Sequence, residues 1–338
     1  MTEHTAPPVP SVPSASLIPA GVMLRPLADE SELPLFTSLP YVLDEELAGD
    51  LDAGRRHTSW LWMALHDGRV VARAGWWARQ RGDGPMLLDV FDIDADTGAD
   101  NGAGTGPGIG AALLEAAMAQ LFPDGRPRPD YGRYLTPGWH EDREEARAVA
   151  VRTEALARTG ARPLVERLRL EWVPAAEVPA ASARLRFREV ACRAELVELM
   201  TSVLDGTLDA HSRRDLAAMS AERCAREQYD GELARYRSPR QWWRVATLPT
   251  GEPVGFVVPA RNAYGPIIAY LGVLPAHRGR GYADDVLAEG TRVLAASGAR
   301  RVRASTDVAN APMAAAFARA GYETFQRELT MEWAQGAE

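Results

Sequence analysis

The sequence predicts an α/β fold built twice within 338 residues, as two tandem domains at 20–174 and 182–335. Three observations carry that expectation. The chain closes each half on the same phrase. Leu156-Ala157-Arg158-Thr159-Gly160 leads to Leu168-Arg169-Leu170-Glu171-Trp172, and Phe317-Ala318-Arg319-Ala320-Gly321 leads to Leu329-Thr330-Met331-Glu332-Trp333. Glycine and tryptophan are 12 residues apart in both. Each half also has a glycine-rich turn feeding a helix, with Leu113, Leu114 and Leu121 lying 173 positions before Val286, Leu287 and Leu294. Finally, Trp60 to Leu65, the Asp67-Gly68 turn and Val70 to Trp77 match Trp242 to Thr247, the Gly251 turn and Val254 to Val258 as strand–turn–strand patterns. Features repeated in one order mark a duplicated domain.

The elements follow in chain order. Residues 1–19 are rich in Pro, Ser and Thr and lack a basic start and an apolar centre, so they read as a disordered tail. Leu24-Arg25-Pro26 and its counterpart Phe187-Arg188-Glu189 read as short strands, each before a helical stretch. Residues 175–181, inside a run of prolines and small residues, form the linker. Ile267 to Val273 is short, apolar and bounded by Pro266 and Pro275, the pattern of a buried strand. Val286, Leu287, Gly290, Val293 and Leu294 then recur at helical spacing, and Val302 to Asp307 reads as the next strand.

Composition narrows the function. Hydrophobic residues make up 46% and charged residues 25%, the balance of a soluble globular protein. A net charge of −8 argues against nucleic acid or an anionic membrane as the main partner, and no apolar run approaches a membrane span. Every basic residue apart from histidine is arginine, which excludes lysine nucleophiles and Schiff bases. Cys192 and Cys224 are too few for a disulfide framework or a zinc site. No metal is expected, and the cytoplasm is the default location. A monomer and a homodimer both fit.

The most informative segment is Arg278-Gly279-Arg280-Gly281-Tyr282-Ala283, between the strand and the helix. Such a turn aims several backbone N–H groups outward at the positive end of a helix dipole, which suits phosphate. Its glycines permit positive φ, and Arg278 and Arg280 can bond phosphate oxygens in a fork. Taken alone, it also fits an ordinary connection with solvated arginines.

In context, Val273-Leu274-Pro275-Ala276-His277-Arg278-Gly279-Arg280-Gly281-Tyr282-Ala283 resembles the acyl-CoA pyrophosphate loop of the GNAT acetyltransferase superfamily. The segment from Asn310 to Gly321-Tyr322, with Met313 and Phe317, resembles that family's following motif. The resemblance implies two domains, each a mixed, mostly antiparallel sheet flanked by helices. It also implies acetyl-CoA as co-substrate and transfer of an acetyl group to a small-molecule amine. Leu271, Val273 and Leu274 would meet the pantetheine, Arg278 to Ala283 the pyrophosphate, and Asn310, Met313 and Phe317 the rest of the cofactor. The arrangement resembles tandem members such as mycothiol synthase, which pair a weakened first copy with a working second one.

The two halves are not equally equipped. Thr105 stands at the position of Arg278, Val149 at that of Asn310, Leu156 at that of Phe317 and Ala161 at that of Tyr322. Asp89, Asp92, Asp94, Asp96 and Asp100 lie upstream of the first turn and oppose a polyanion there. The spaced aspartates resemble a calcium loop, but the spacing argues against one, because the glycine falls one position late, at Gly98, with no glutamate at the required distance. Gly106, Gly108 and Gly110 survive, which leaves weak CoA binding open. The first half is expected to be mainly structural.

The second half departs from the family too. Phe317 replaces the tyrosine that usually protonates the departing thiolate, and Ile267 to Val273 carries no carboxylate, only Tyr270. Asp307, Asp205, Asp209 and His211 are the other candidates for the general base, with Tyr270 or water as alternatives. Three of them have an ordinary reading as well. Asp307 can cap a turn, Asp209 a helix, and His211 can be a solvated surface residue. A non-catalytic acyl-CoA-binding or sensing protein is therefore the rival to the acetyltransferase.

Overall fold

The computed structural model of the chain describes residues 21–95, 105–123, 126–174 and 177–334. The 1–19 tail, Asp96, Gly98, Asp100 and two linker residues, Ala175 and Ala176, lie outside the described residues. The first sequence half runs β1 (Val22–Pro26), α1 (Leu33–Phe36), α2 (Asp44–Asp52), β2 (Leu61–His66), β3 (Arg69–Trp77), β4 (Leu87–Ile93), α3 (Thr105–Leu121), β5 (Tyr131–Leu135), α4 (Arg143–Arg158) and β6 (Ala161–Trp172). The second runs β7 (Arg186–Glu189), α5 (Arg193–Val203), α6 (Ala210–Ala218), α7 (Ala221–Gly231), β8 (Arg244–Thr247), β9 (Pro253–Asn262), β10 (Gly265–Val273), α8 (Tyr282–Ala296), β11 (Val302–Asp307), α9 (Ala311–Arg319) and β12 (Glu323–Trp333). Strand, helices, three strands, helix, strand, helix and strand recur in the same order. The duplication read from the sequence is thus repeated in the elements.

It extends to side chains. Arg25 donates two hydrogen bonds to Glu32, whose carboxylate also accepts from the Ala28 N–H at 2.8 Å. Arg188 does the same with Glu195, which accepts from the Ala191 N–H at 2.7 Å. Each clip fastens the first strand of its half to the turn that follows.

The chain divides into two compact units, and their limits differ from those of the sequence halves. Unit 1 takes the described residues of Met1–Gly132, His140–Arg162 and Glu332–Glu338. Unit 2 takes Arg133–Trp139 and Pro163–Met331. Within unit 1, β1 to β5 lie in sequence order, antiparallel up to β4 and parallel between β4 and β5. Its core gathers Phe36, Leu47, Leu61, Met63 and Val90.

Unit 2 has the order β5–β12–β6–β11–β10–β9–β8–β7, with β5 entering at Arg133. β6, which closes the first sequence half, therefore lies in unit 2 from Pro163 onward. It pairs antiparallel with β11 from Val302↔Trp172 to Asp307↔Arg167. Alternation along β9 builds two cores, because successive side chains on a strand face opposite ways. Val257 joins Trp172, Ile268, Val286, Leu287, Leu294 and Phe317, while Phe256 and Val258 join Leu196, Met200, Val203 and Trp243. Fully burying such a side chain is worth roughly 1.5–3 kcal/mol. Gly290 lets α8 seat on the sheet, since a Cβ there would fall 2.7 Å from Val257 Cγ2.

One local expectation changes. Trp60 and Trp242 end short 3-10 turns, so their strands begin one and two residues later, at Leu61 and Arg244. Cys192 stands just before α5 and is exposed, while Cys224 is buried in α7, where burial pushes its thiol up and keeps it protonated.

Candidate active site

The site in unit 2 begins where two parallel strands part. β10 and β11 share one register pair, Ile267↔Arg303. Past it, β10 stays paired with β9 as far as Val273↔Gly255, and β11 stays paired with β6 as far as Asp307. Among the described residues, no strand pairs with the β11-facing edge of β10 from Ile268 onward. A register shift between Ile268 and Tyr270 leaves Ala269 as a bulge, a device that re-aims backbone groups next to sites.

The glycine turn follows at the end of β10. Gly279 and Gly281 adopt φ of +75° and +73°, the left-handed region that favours glycine. Among the described residues, no protein acceptor takes the N–H groups of Gly279, Arg280, Gly281, Tyr282 or Ala283. Their carbonyls are held instead, since Arg184 donates to Arg280 O at 2.9 Å and to Gly281 O at 3.1 Å. Arg184 is also bonded to Asp285 on α8. The result is a nest of unbonded amides at the positive end of a 15-residue helix. A Cβ on Gly279 would meet nothing within 4 Å, so the approach is open.

The two loop arginines separate here. Arg278 does not extend a free fork. Its Nε donates to Val273 O at 3.1 Å, Nη1 to Asp205 O at 2.6 Å and Nη2 to Val203 O at 2.7 Å. It braces the end of α5 and the following turn against the end of β10. The exposed Arg280 has no side-chain hydrogen bond or ion pair among the described residues, so it is the guanidinium available to an anion. His277 is buried with Nε2 3.1 Å from Glu252 Oε1.

At the far end of β11 lies a second polar group. Asp209 caps α6, accepting from the Ser212 N–H at 2.7 Å. Asp307 Oδ2 accepts from the Ala210 N–H at 2.6 Å, and its side chain is 1% exposed. Arg167 on β6 faces both carboxylates, with Nε 3.1 Å from Asp307 Oδ1 and Nη2 3.8 Å from Asp209 Oδ2. Burial raises the Asp307 carboxyl, the Ala210 N–H opposes that, and the charge of Asp209 adds to it. Burial also works against ionised Asp209, but the Ser212 N–H and Arg167 outweigh it and hold its carboxyl below the ordinary value. Burial, with help from Asp209, raises Tyr270 well above the ordinary phenol. The Tyr270 ring stacks on Phe256 at 5.3 Å.

The remaining positions divide between core and rim. Phe317 is 2% exposed and meets Tyr322 edge-on at 5.1 Å, so it is a core residue. The Tyr322 hydroxyl is shared with Thr291 Oγ1 at 2.8 Å. Asn310 caps α9, and Met313, Leu271, Val273 and Tyr282 pack half-buried against the same core. Leu274 packs on the other core, and its N–H donates to Val254 O at 2.8 Å. His211 is half-buried close to Asp209 and Asp307. Sequence reasoning missed Arg167 and Arg184. Neither belongs to the motif, and Arg167 becomes visible only once β6 is known to lie beside β11.

The corresponding turn of unit 1 is built differently. α3 already runs from Thr105, so Gly106, Gly108 and Gly110 lie inside the helix. A Cβ on Gly110 would fall 2.5 Å from Ile93 Cδ1, 3.0 Å from Phe91 Cζ and 3.1 Å from Ala155 Cβ. That glycine serves close packing of α3 on β4 and α4. A Cβ on Gly106 or Gly108 would make only ordinary contacts, at 3.5 Å or more, so close packing accounts for Gly110 alone. Two of the upstream aspartates are paired with arginines, since Arg56 holds Asp89 through two hydrogen bonds and Arg73 donates to Asp92 at 2.9 Å.

Residues 208–322 match the family model described as "Acetyltransferase (GNAT) family". No curated protein sequence matches the chain. Among solved structures, a GCN5-related N-acetyltransferase from Sphaerobacter thermophilus aligns over 93% of this chain and 96% of its own, with 16% identity and a TM-score of 0.57. A GCN5-related glucosamine N-acetyltransferase region of a fungal multi-domain GH3 β-N-acetylglucosaminidase aligns over 93% of this chain and 38% of its own, with 12% identity and a TM-score of 0.53. A tandem GNAT protein from the clavulanic acid biosynthesis pathway aligns over 94% and 99%, with 17% identity and a TM-score of 0.48. At these identities the likeness to the first two is one of fold.

Proposed function

We propose, from the match of residues 208–322 to the GNAT acetyltransferase family model, that the chain is an acetyl-CoA-dependent N-acyltransferase acting on a small-molecule amine through unit 2. The observation that carries the reading is the row of five unbonded amides from Gly279 to Ala283, beside the parted edge of β10. The residues present fit the co-substrate. The amides and Arg280 suit its pyrophosphate, and the open edge of β10 suits its extended amide chain. Acetyl-CoA supplies an activated acetyl thioester, and the rest of the work falls to the chain. The proposed setting is the cytoplasm, with no nucleic acid or membrane as partner.

At the acceptor end, an alkyl ammonium with pKa near ~10.4 must lose a proton before it can attack. Asp209, ionised and with a third of its side chain exposed, suits the ammonium and its orientation. His211 is the side chain beside it of the type that usually carries such a proton, directly or through water. Asp307 is nearly sealed from solvent and already bonded to Ala210, which favours a scaffolding role over that of base. Tyr270, kept protonated, suits the role of donor to the thiolate that Phe317 cannot fill.

The rival reading of a non-catalytic acyl-CoA-binding protein predicts binding without turnover. The test is calorimetry with acetyl-CoA, followed by release of free thiol with glucosamine, tyramine, spermidine and 2-phenylethylamine. Binding with amine-dependent thiol release supports the transferase. Binding with no release from a broad amine panel supports the sensor, and no binding sinks both.

A further inference from the structure

Arg167 is held differently from Arg278 and Arg184, the two arginines that brace the glycine turn. Arg278 is bonded to three carbonyls, and Arg184 to two carbonyls and Asp285. Arg167 makes no hydrogen bond among the described residues, although its side chain is only 25% exposed. Its Nε is buried without a bonding partner, and so is the Oδ1 of Asp307 that it faces at 3.1 Å. The contact is one of charge against charge, outside hydrogen-bonding geometry. The register explains how it arises. Arg167 and Asp307 are direct cross-strand partners of β6 and β11, and Ala210 bonded to Asp307 brings Asp209 to the same place.

Asp209 is faced from four elements. β6 presents Arg167, β11 presents Asp307, β10 presents Tyr270, and α6 adds His211 and the Ser212 N–H. Two carboxylates against one guanidinium leave a single net negative charge, which matches one incoming ammonium. Without Arg167, two carboxylates would confront each other, and like charges so placed hold a proton between them. Asp209 would then be protonated or drawn toward a shared proton when the amine arrives.

We propose that Arg167, carried by the closing strand of the first sequence half, is a positioning residue for acyl transfer in unit 2, keeping Asp209 charged and open to the acceptor amine. This rests on the reading of Asp209 as the amine-receiving group. It gives the first half a part in the chemistry of the second, since the required cation comes from a strand outside the acetyltransferase motif.

The test uses the full chain with carboxyl-labelled aspartate, the Asp209 titration followed by NMR, and the KM of the most active amine among glucosamine, tyramine, spermidine and 2-phenylethylamine. In Arg167→Gln, Asp209 is expected to titrate about one pH unit higher or more. The amine KM should rise about tenfold, and the acetyl-CoA Kd should stay as in the parent. Arg167→Lys should restore both, because a charge without hydrogen-bonding geometry needs no fork; a mere brace would not be rescued this way. If Arg167→Gln does not fold, Asp307→Asn is compared with Asp307→Asn/Arg167→Gln, which removes the cation without stranding a buried carboxylate. The Asp209 titration should rise between those two by a similar amount. An unmoved Asp209 titration and amine KM in either comparison overturns the assignment. If Asp209→Asn turns over like the parent, the reading of the acceptor end falls as well. If Asp209→Asn is impaired while Arg167→Gln is silent, only the role of Arg167 falls.

Discussion

The Asp307 carboxylate at the end of β11 accepts the backbone N–H of Ala210, the first residue of α6, at 2.6 Å. This bond ties the helix that carries His211, and the Asp209 that caps it, to the strand that opens the cleft. Asp307→Asn keeps an oxygen for Ala210 and should hold α6 in place. Asp307→Ala leaves a buried N–H without an acceptor, and its unfolding free energy should drop by about 1–3 kcal/mol. Turnover should follow the same order, with the asparagine variant retaining most of it.

The same group gives a pH signature. Burial first, then the charge of Asp209, raises the Asp307 carboxyl in the folded chain. The folded state therefore holds a proton that the unfolded state has released, and the stability from this group falls as pH rises through that window. Asp209 has the opposite sign, because its folded value is lowered. Its contribution is present above the unfolded value and is lost as pH falls through the folded one. Urea unfolding from about pH 3 to 7 should show the Asp307 slope vanish in Asp307→Asn and the Asp209 slope vanish in Asp209→Asn. An unchanged profile in Asp307→Asn would mean that this carboxyl titrates alike in both states.

The duplication, the strand before the glycine turn and the turn itself were legible in the sequence because each rests on local pattern. Gly279 and Gly281 are short-range requirements of the backbone, and Val286, Leu287 and Leu294 announce a helix by spacing alone. The cap at Asp209 was legible for the same reason. What was hidden is non-local. That Arg167 would face Asp307 depends on β6 pairing with β11, and no pattern within either strand states its neighbour. For Arg278 the sequence left phosphate binding and solvation both open, because a guanidinium is drawn equally to phosphate and to carbonyls at a helix end. Only the position of Val203 and Asp205 decides between them.

That distinction is measurable. Arg280→Ala should weaken acetyl-CoA binding about tenfold, because it removes the loop guanidinium that no group among the described residues engages. Arg278→Ala should chiefly lower stability, by about 1.5–3 kcal/mol for three charge-assisted bonds at a partly exposed site. Calorimetry and thermal unfolding on both variants separate the roles. A reversal, with Arg278→Ala stable but deficient in binding, would restore Arg278 to the phosphates.

The glycines of the two turns should behave as opposites. Gly281→Ala forces an alanine into φ of +73°, a penalty of about 1–2 kcal/mol, and disturbs the amide nest, so acetyl-CoA affinity should fall. Gly110→Ala places a methyl 2.5 Å from Ile93 Cδ1, so it should cost about 1–3 kcal/mol of stability and leave affinity intact. Calorimetry on the parent chain should accordingly give one tight site. Two equal sites per chain would show that the helical glycines of α3 bind the nucleotide after all.

The last expectation concerns the proton that the thiolate needs. Phe317 is buried and has no hydroxyl, whereas Tyr270 lies on the parted strand and stays protonated through burial and the nearby Asp209 charge. Tyr270→Phe keeps the ring stacked on Phe256 and removes no hydrogen bond among the described residues, so stability should stay within about 0.5 kcal/mol of the parent. Turnover with acetyl-CoA should fall about 10²-fold, the lower weight of general acid catalysis, while acetyl-CoA affinity holds. The defect should shrink with an acetyl thioester of a more acidic thiol, because a good leaving group departs without being protonated. If Tyr270→Phe is equally slow with both donors, the hydroxyl is needed for something other than the leaving thiolate. If it is slow with neither, the thiolate takes its proton from water and the site works mainly by holding the amine against the carbonyl.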